Sequence, residues 1–285
     1  MPIVIGSNLF SSQVRLSMNR TGEKLRSVYH SLATGSDLSL YGEMGGRLLL
    51  ADRLRTQTKV ATVALRNANE GLSYLSTTDA GLSEIQNILT RMAELANQGA
   101  NTTFTSAQRS ALQLEFSALG SEVERIAAAT TFNGQSTLSS GSNLTLQIGV
   151  TGTGESSIVI QSVVATVQEL GIGAASGALS YSIAAATSDL SVTASRLAYS
   201  AILNAQDSLS LKRGSLGATT SRLAVAVDFL AIARENYSAA ESNLRDADTA
   251  QDVAEFTRLQ VLQQSQAALL AQANQVPSLV LKLLG

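Results

Sequence analysis

Cysteine and tryptophan are missing from this 285-residue chain, and histidine and proline nearly so. Without a thiol there is neither a disulfide nor a thiolate metal site. His30 stands alone, so a histidine metal cluster and a Ser–His–Asp triad both fail at the count. It reads as a packing or surface residue beside Val28 and Leu32. The prolines occupy only positions 2 and 277, which leaves everything between them open to helix. Net charge is −2 with no basic cluster, so no nucleic-acid footprint is offered. No apolar run approaches the ~18 residues of a membrane span. The start, MPIVIGSNLFSSQVRL, lacks the basic, apolar and cleavage regions of a signal peptide. No residue is assigned to catalysis, a cofactor or a metal.

What is present is helix-forming and periodic. Met18, Leu25, Val28 and Leu32 recur at 7, 3 and 4 within residues 9–33, a heptad seam. A second helix is expected from about Leu54 to Gln98, with Leu72, Leu75, Leu82, Ile85, Leu89, Met92 and Leu95 on one stripe. A third, near 106–129, places Leu112, Phe116, Leu119, Val123 and Ile126 at alternating 4 and 3. The short polar stretch Gly99 to Thr105 folds these two back as an antiparallel hairpin. Helical pattern returns from about Leu179 to Asp246, carrying Leu216, Leu223, Val227 and Leu230.

Between the helical halves the period changes. Phe132-Asn133-Gly134 reads as a turn. Leu144, Leu146, Ile148 and Val150 alternate with polar residues, as do Ile158 and Ile160 after Thr-Gly-Thr-Gly-Glu. That pattern predicts a small β-hairpin, followed by a loop over Gly171 to Gly177. Gly149-Val-Thr-Gly-Thr-Gly and Gly171-Ile-Gly lack the strand–helix setting of a phosphate cradle and read as turns. The carboxylate pairs Glu122/Glu124 and Asp246/Asp248 stand at i,i+2 and do not face one another on a helix. They read as solvated faces or a helix boundary. The fold class is therefore mainly α: a long antiparallel, coiled-coil helical bundle with one small β-hairpin.

The two ends are the most apolar parts. From Asp252 to Gly285 the chain carries thirteen Val, Leu or Phe residues and few charges. Burying all thirteen would contribute roughly 20–40 kcal/mol. Ordering some thirty residues costs about 30–60 kcal/mol of backbone entropy. A lone subunit covers one face at best, so the ends are expected to order fully only among neighbours.

Particular motifs carry a resemblance. Leu262-Gln-Gln-Ser and Leu270-Ala-Gln-Ala-Asn-Gln-Val-Pro, Arg66-Asn-Ala-Asn-Glu-Gly71, Thr131-Phe-Asn-Gly134, Arg213 with Leu216-Gly-Ala218 and Arg222, and Leu244-Arg-Asp-Ala-Asp248 all resemble elements of bacterial flagellins. The resemblance covers nearly the whole chain and implies a minimal flagellin without large outer domains. One stretch departs from the family pattern: Glu43-Met44 stands for an acidic pair and Arg47 for a glycine.

The resemblance implies a division into an inner-core helix (1–42), two halves of an outer bundle (43–140 and 179–245), hairpin and loops (141–178) and a C-terminal inner-core helix (246–285). Inner-core packing is expected of Met18, Leu25, Val28, Leu32, Phe256, Leu259, Leu262, Leu269 and Leu270. The amides Gln260, Gln263, Gln264, Gln272, Asn274 and Gln275 are expected to bond between subunits. Arg91, Leu95, Gln98 and Glu115 match the family's patch for a flagellin-sensing Toll-like receptor. The implied function is a head-to-tail polymer, the flagellar filament for swimming, secreted and extracellular. Implied partners are identical subunits, the flagellar export apparatus and its chaperone, and hook-associated and cap proteins, with no nucleic acid and no membrane insertion. The Ser- and Thr-dense stretch 130–157 reads as a solvated loop with O-glycosylation as the alternative. Asn101, Asn143 and Asn236 fit the N-glycan pattern, which is common by chance. The alternatives are a hook–filament junction protein and a secreted helical adhesin or immune-modulating module.

Overall fold

The computed structural model describes residues 8–37, 45–149, 156–174, 176–185 and 187–284, with 276–284 described by backbone alone. Expectations for the first seven residues, for Glu43-Met44, for Val150 and for the Thr-Gly-Thr-Gly-Glu turn lie outside the described residues. Among the described residues five helices dominate: α1 (Leu9–Thr34), α2 (Gly45–Gly99), α3 (Ser106–Ala129), α4 (Ser188–Arg245) and α5 (Thr249–Leu284). Four short strands among the described residues, β1 (Thr131–Phe132), β2 (Gln135–Ser136), β3 (Leu144–Gln147) and β4 (Ser157–Ile160), pair as two antiparallel hairpins. The residues fall into two compact units, 59–234 and the combination of 1–58 with 235–285.

In unit 59–234 the expected α2 stripe is the core. Leu75, Leu82, Ile85, Leu89, Met92 and Leu95 are buried, with Leu72 half-buried beside them. Phe116 and Val123 of α3 and Leu209, Leu216 and Leu223 of α4 meet them. α3 starts where expected because Thr105 and Gln108 form a capping box. The loop before it is pinned by Arg109, nearly buried, whose Nη2 donates to the carbonyls of Asn101 (3.3 Å) and Phe104 (3.0 Å). α4 runs antiparallel to α2, since Gln206 bonds Thr90 and Arg213 bonds Asp79.

The hairpin expectations hold. Asn133 and Gly134 both take positive φ, 50° and 77°, as a two-residue hairpin turn requires. In the second hairpin Leu144 opposes Ile160 and Leu146 opposes Ile158, which puts these four on one face against the core. Gly71 lies under this hairpin: a Cβ there would collide with the Leu146 side chain. That close approach is the physical use of the last residue of the Arg66–Gly71 motif.

Three expectations need correction. α2 begins at Gly45, not near Leu54, because Leu48, Leu49 and Leu50 are helical yet exposed and so show no stripe. α4 begins at Ser188 rather than near Leu179. Residues 161–185 instead form an irregular strap that buries Val163, Val167, Leu170, Ile172 and Ile183. The strap is tied to α3 by backbone N–H groups of Val167 and Ile183 donating to Glu124 and Gln113. Ser191 and Ser195 hold its end by hydrogen bonds to the carbonyls of Ala185 and Ile183. Finally, residues 189–245 are long and apolar enough, by length and composition, to cross a membrane. The same helix supplies Ile202, Leu209, Leu216 and Leu223 to the core, and core helices of bundles pass that test too.

In unit 1–58 with 235–285, α1 and α5 pair antiparallel. Asn8 caps α1 by accepting from the Ser11 N–H. Gly35, at φ 68°, ends it in the left-handed conformation. The segments just beyond are zipped: Asp37 N donates to Arg245 O (2.8 Å) and Ala247 N to Gly35 O (3.1 Å). Arg47, the departure from the family pattern, donates to the Leu244 carbonyl at 3.2 Å and pairs with Asp37 at 3.4 Å.

Candidate functional site

The α1–α5 pair is the first candidate contact surface. Its seam on α1 is a full heptad run, Ser11, Val14, Met18, Thr21, Leu25, Val28 and Leu32, spaced alternately by 3 and 4. Met18, Leu25, Val28 and Leu32 are half-buried along it, while Ser11, Val14 and Thr21 are the buried positions. Periodicity of apolar residues missed Ser11 and Thr21 because they are polar. Their reason is across the seam: Ser11 donates to Asn274 Oδ1 at 2.9 Å, and Gln266 Nε2 donates to Ser17 and Thr21 at 2.9 and 3.1 Å. Ser31 closes the far end by donating to Asp252.

On α5 the matching positions are Phe256, Leu259, Gln263, Gln266, Leu270 and Ala273. Leu259 and Ala273 are buried, and Phe256 and Leu270 half-buried. Leu262 and Leu269 stand one residue ahead of the seam and are exposed. Leu9, Phe10, Leu16 and Val261 are exposed as well. Met18, Leu25, Tyr29 and Phe256 line an open groove of about 690 Å³ on this pair. Of the amides, Gln263 sits half-buried on the seam, while Gln260, Gln264, Gln272 and Gln275 are exposed, as is Asn274 despite its bond to Ser11. Glu255 is held below the usual carboxylate range by its hydrogen bond to Arg258.

The second candidate is the α2–α3 face. Arg91 bridges the two helices, its guanidinium donating to Glu115 at 2.8 Å and to Glu94 at 2.9 Å. These carboxylates raise the Arg91 pKa. Gln98 is exposed on the same helix. Leu95 is wholly buried, which corrects the four-residue surface read from sequence: in the subunit Leu95 belongs to the core, and the exposed face is Arg91, Gln98 and Glu115. Leu95 lies on the apolar stripe of α2, and only the resemblance set it on the patch.

Between α2 and α4 lies a third surface, an open groove of about 640 Å³ over Leu72, Leu75, Leu216 and Gly217. At its edge Arg213 makes a two-pronged bond to Asp79, 2.9 and 3.1 Å, which raises the Arg213 pKa. Both partners remain at least a third exposed. Arg213→Ala is therefore expected to cost only about 0.2–1 kcal/mol in urea unfolding, and less in added salt. A salt-independent loss beyond twice that range would contradict a solvated pair.

The remaining features are structural. Asp248 caps α5 by accepting from Ala250 and Gln251, and Glu122 pairs with Arg125. Asn101, Asn143 and Asn236 are all exposed; Asn143 accepts the Ser162 N–H and Asn101 the Thr103 N–H. His30 is half-buried. Among the described residues no group of three metal-ligating side chains occurs.

Residues 5–143 match the family model of the bacterial flagellin N-terminal helical region, and residues 199–284 that of the bacterial flagellin C-terminal helical region. A flagellin of Halalkalibacterium halodurans is 32% identical over 283 residues, 99% of this chain and 100% of that one. A flagellin of Bacillus subtilis is 33% identical, covering 95% of each chain. A flagellar filament 30.7 kDa core protein of Treponema maltophilum is 29% identical over 99% of this chain and 100% of its own length.

Proposed function

The chain belongs to the bacterial flagellin family, and from that premise we propose how its parts divide the work of a filament subunit. It is a structural component of the flagellar filament, polymerised from identical copies outside the cell and used for motility. In our reading the terminal segments 1–42 and 246–285 form the inner core. Segments 43–140 and 179–245 form the outer bundle, and 141–178 the hairpin and loops. The work is mechanical rather than catalytic, in keeping with a chain that has one histidine and no cysteine.

One observation carries the division. α1 and α5 bury one heptad seam against each other and leave large apolar side chains on their other faces, among them Leu9, Phe10, Leu16, Val261, Leu262 and Leu269. Apolar surface of this extent calls for partners. Neighbouring copies arranged head-to-tail without closing a ring would supply them along a helical tube. Leu262 and Leu269, off the intramolecular seam, are then residues for contact between copies, as are the exposed amides of α5.

The same reading has the subunit leave the cell through the flagellar export apparatus, accompanied by a chaperone, and join hook-associated and cap proteins at the filament ends. The RNANEG and LLAQANQVP motifs favour the main filament over a hook–filament junction protein. Arg91, Gln98 and Glu115 would be the part of the α2–α3 face open to a flagellin-sensing Toll-like receptor on the free subunit.

Negative-stain electron microscopy in a salting-out buffer, with and without short filament seeds, tests the filament role. Excluded salts strengthen apolar burial, so long uniform tubes are expected. Monomers that persist with seeds present would reject it in favour of the junction protein or a soluble binding module.

A further inference from the structure

Asn133 is followed by Gly134, and no other asparagine or aspartate in the chain precedes a glycine. An asparagine in that setting is chemically unstable. The following backbone nitrogen can reach its side-chain Cγ, and glycine has no side chain to block the approach. Elsewhere the chain denies the reaction. The helical asparagines, Asn19 and Asn204 among them, are followed by residues whose N–H is tied into the helix ladder. Asn8, Asn101 and Asn143 precede Leu or Thr, and their Oδ1 atoms are already turned to the N–H groups of Ser11, Thr103 and Ser162. Asn133 and Gly134 are both exposed. In a two-residue turn closed by Phe132 and Gln135, the Gly134 N–H takes part in no ladder bond.

We propose that Asn133-Gly134 is a site of spontaneous deamidation and that the folded turn restrains the reaction. The Gly134 nitrogen attacks Asn133 Cγ, and the new C–N bond closes a five-membered succinimide. The bond from Cγ to the side-chain nitrogen breaks, and ammonia leaves with the proton displaced from Gly134. Water then opens the ring. Opening at the side-chain carbonyl leaves aspartate; opening at the main-chain carbonyl leaves isoaspartate, with Cβ and Cγ now in the backbone. Either product adds one negative charge. The φ angles of 50° and 77° are those of a type I′ turn, and ring closure needs Asn133 to swing its ψ far from that conformation. The turn is braced against such movement. Thr137 donates to the Thr130 carbonyl from both N (3.0 Å) and Oγ1 (3.3 Å). The Phe132 and Tyr74 rings meet edge-on at 5.8 Å, and buried Leu138 accepts the Ala165 N–H. Isoaspartate lengthens a turn whose register is set by two residues, so a chain modified while unfolded regains the Phe132–Gln135 pair poorly. None of this requires the filament reading, and the hairpin becomes a record of time spent unfolded.

Peptide mapping by mass spectrometry, with isoaspartate counted by enzymatic methylation, follows the full chain held folded or in guanidinium chloride at the same mildly alkaline pH. Conversion of Asn133 is expected to be at least tenfold faster in the unfolded chain and ahead of every other asparagine. Equal rates in the two states overturn the restraint. An Asn133 that stays intact when unfolded, or another asparagine converting first, overturns the site. Gly134→Ala is compared in denaturant, where folding has no bearing, and is expected to slow the reaction at least tenfold. An unchanged rate overturns attack by the Gly134 nitrogen. Asn133→Asp carries the charge without the longer backbone and suits the same turn, so it is expected to keep the wild-type urea midpoint. Refolded chains enriched in isoaspartate are expected to unfold at lower urea, and a midpoint equal to wild type overturns the damage to the turn.

Discussion

A chain ending at Asn274 is expected to lose filament growth while unit 59–234 stays folded. The deleted stretch, Gln275 to Gly285, contains Val276, Leu279, Val280, Leu281, Leu283 and Leu284. Six such side chains contribute roughly 9–18 kcal/mol when fully buried, a gross figure that assembly cannot replace from elsewhere. The shortened chain keeps the cross-seam bonds of Asn8 to Ala273 and Ser11 to Asn274, so α1 and α5 retain their pairing register. Among the described residues, the core of unit 59–234 contains none from α5. Circular dichroism should therefore show a nearly unchanged main melting transition, while pelleting and microscopy with seeds show no polymer. Normal filaments from the truncated chain would remove α5 from the inner-core role.

Phe116→Ala is expected to give the largest loss of stability from a single substitution in unit 59–234. Phe116 is the bulkiest fully buried side chain, 1% exposed, and belongs to the cluster that joins α2, α3 and α4. Truncation removes its transfer free energy and leaves a cavity that long, mutually braced helices close only in part, a cost of about 3–5 kcal/mol. For a unit of this size that lowers the melting temperature by roughly 6–20 °C. Urea unfolding followed by helical signal is the direct measurement. A loss under 1 kcal/mol would mean that the three helices re-pack freely, and the bundle core would then have to be assigned to other residues.

Both predictions draw on patterns visible in the chain itself, and the places where those patterns failed have a common cause. The α2 and α3 stripes were legible because their seam positions are nearly all large and apolar. The α1 seam was legible at its apolar positions, Met18, Leu25, Val28 and Leu32, to which the structure adds Val14. Ser11 and Thr21 are polar, and their burial depends on Asn274 and Gln266 some 250 positions away. Leu262 and Leu269 look as apolar as Leu259 and Leu270, yet the seam selects the latter pair because the phase of α5 is set by α1. The sequence pattern extends helix back to about Leu179, but 179–185 belong to the irregular strap, where Ile183 is buried without helical period.

From the sequence alone came the family, the helical class, the turn at Asn133-Gly134, the β-hairpin and the core stripes of α2 and α3. These depend on local spacing, which a linear chain displays directly. Tertiary structure decided the start of α4, the partner of Arg47 and the polar members of the α1 seam. Each of those turns on which side of a helix meets which distant segment, and periodicity reports that a face exists without saying what lies against it.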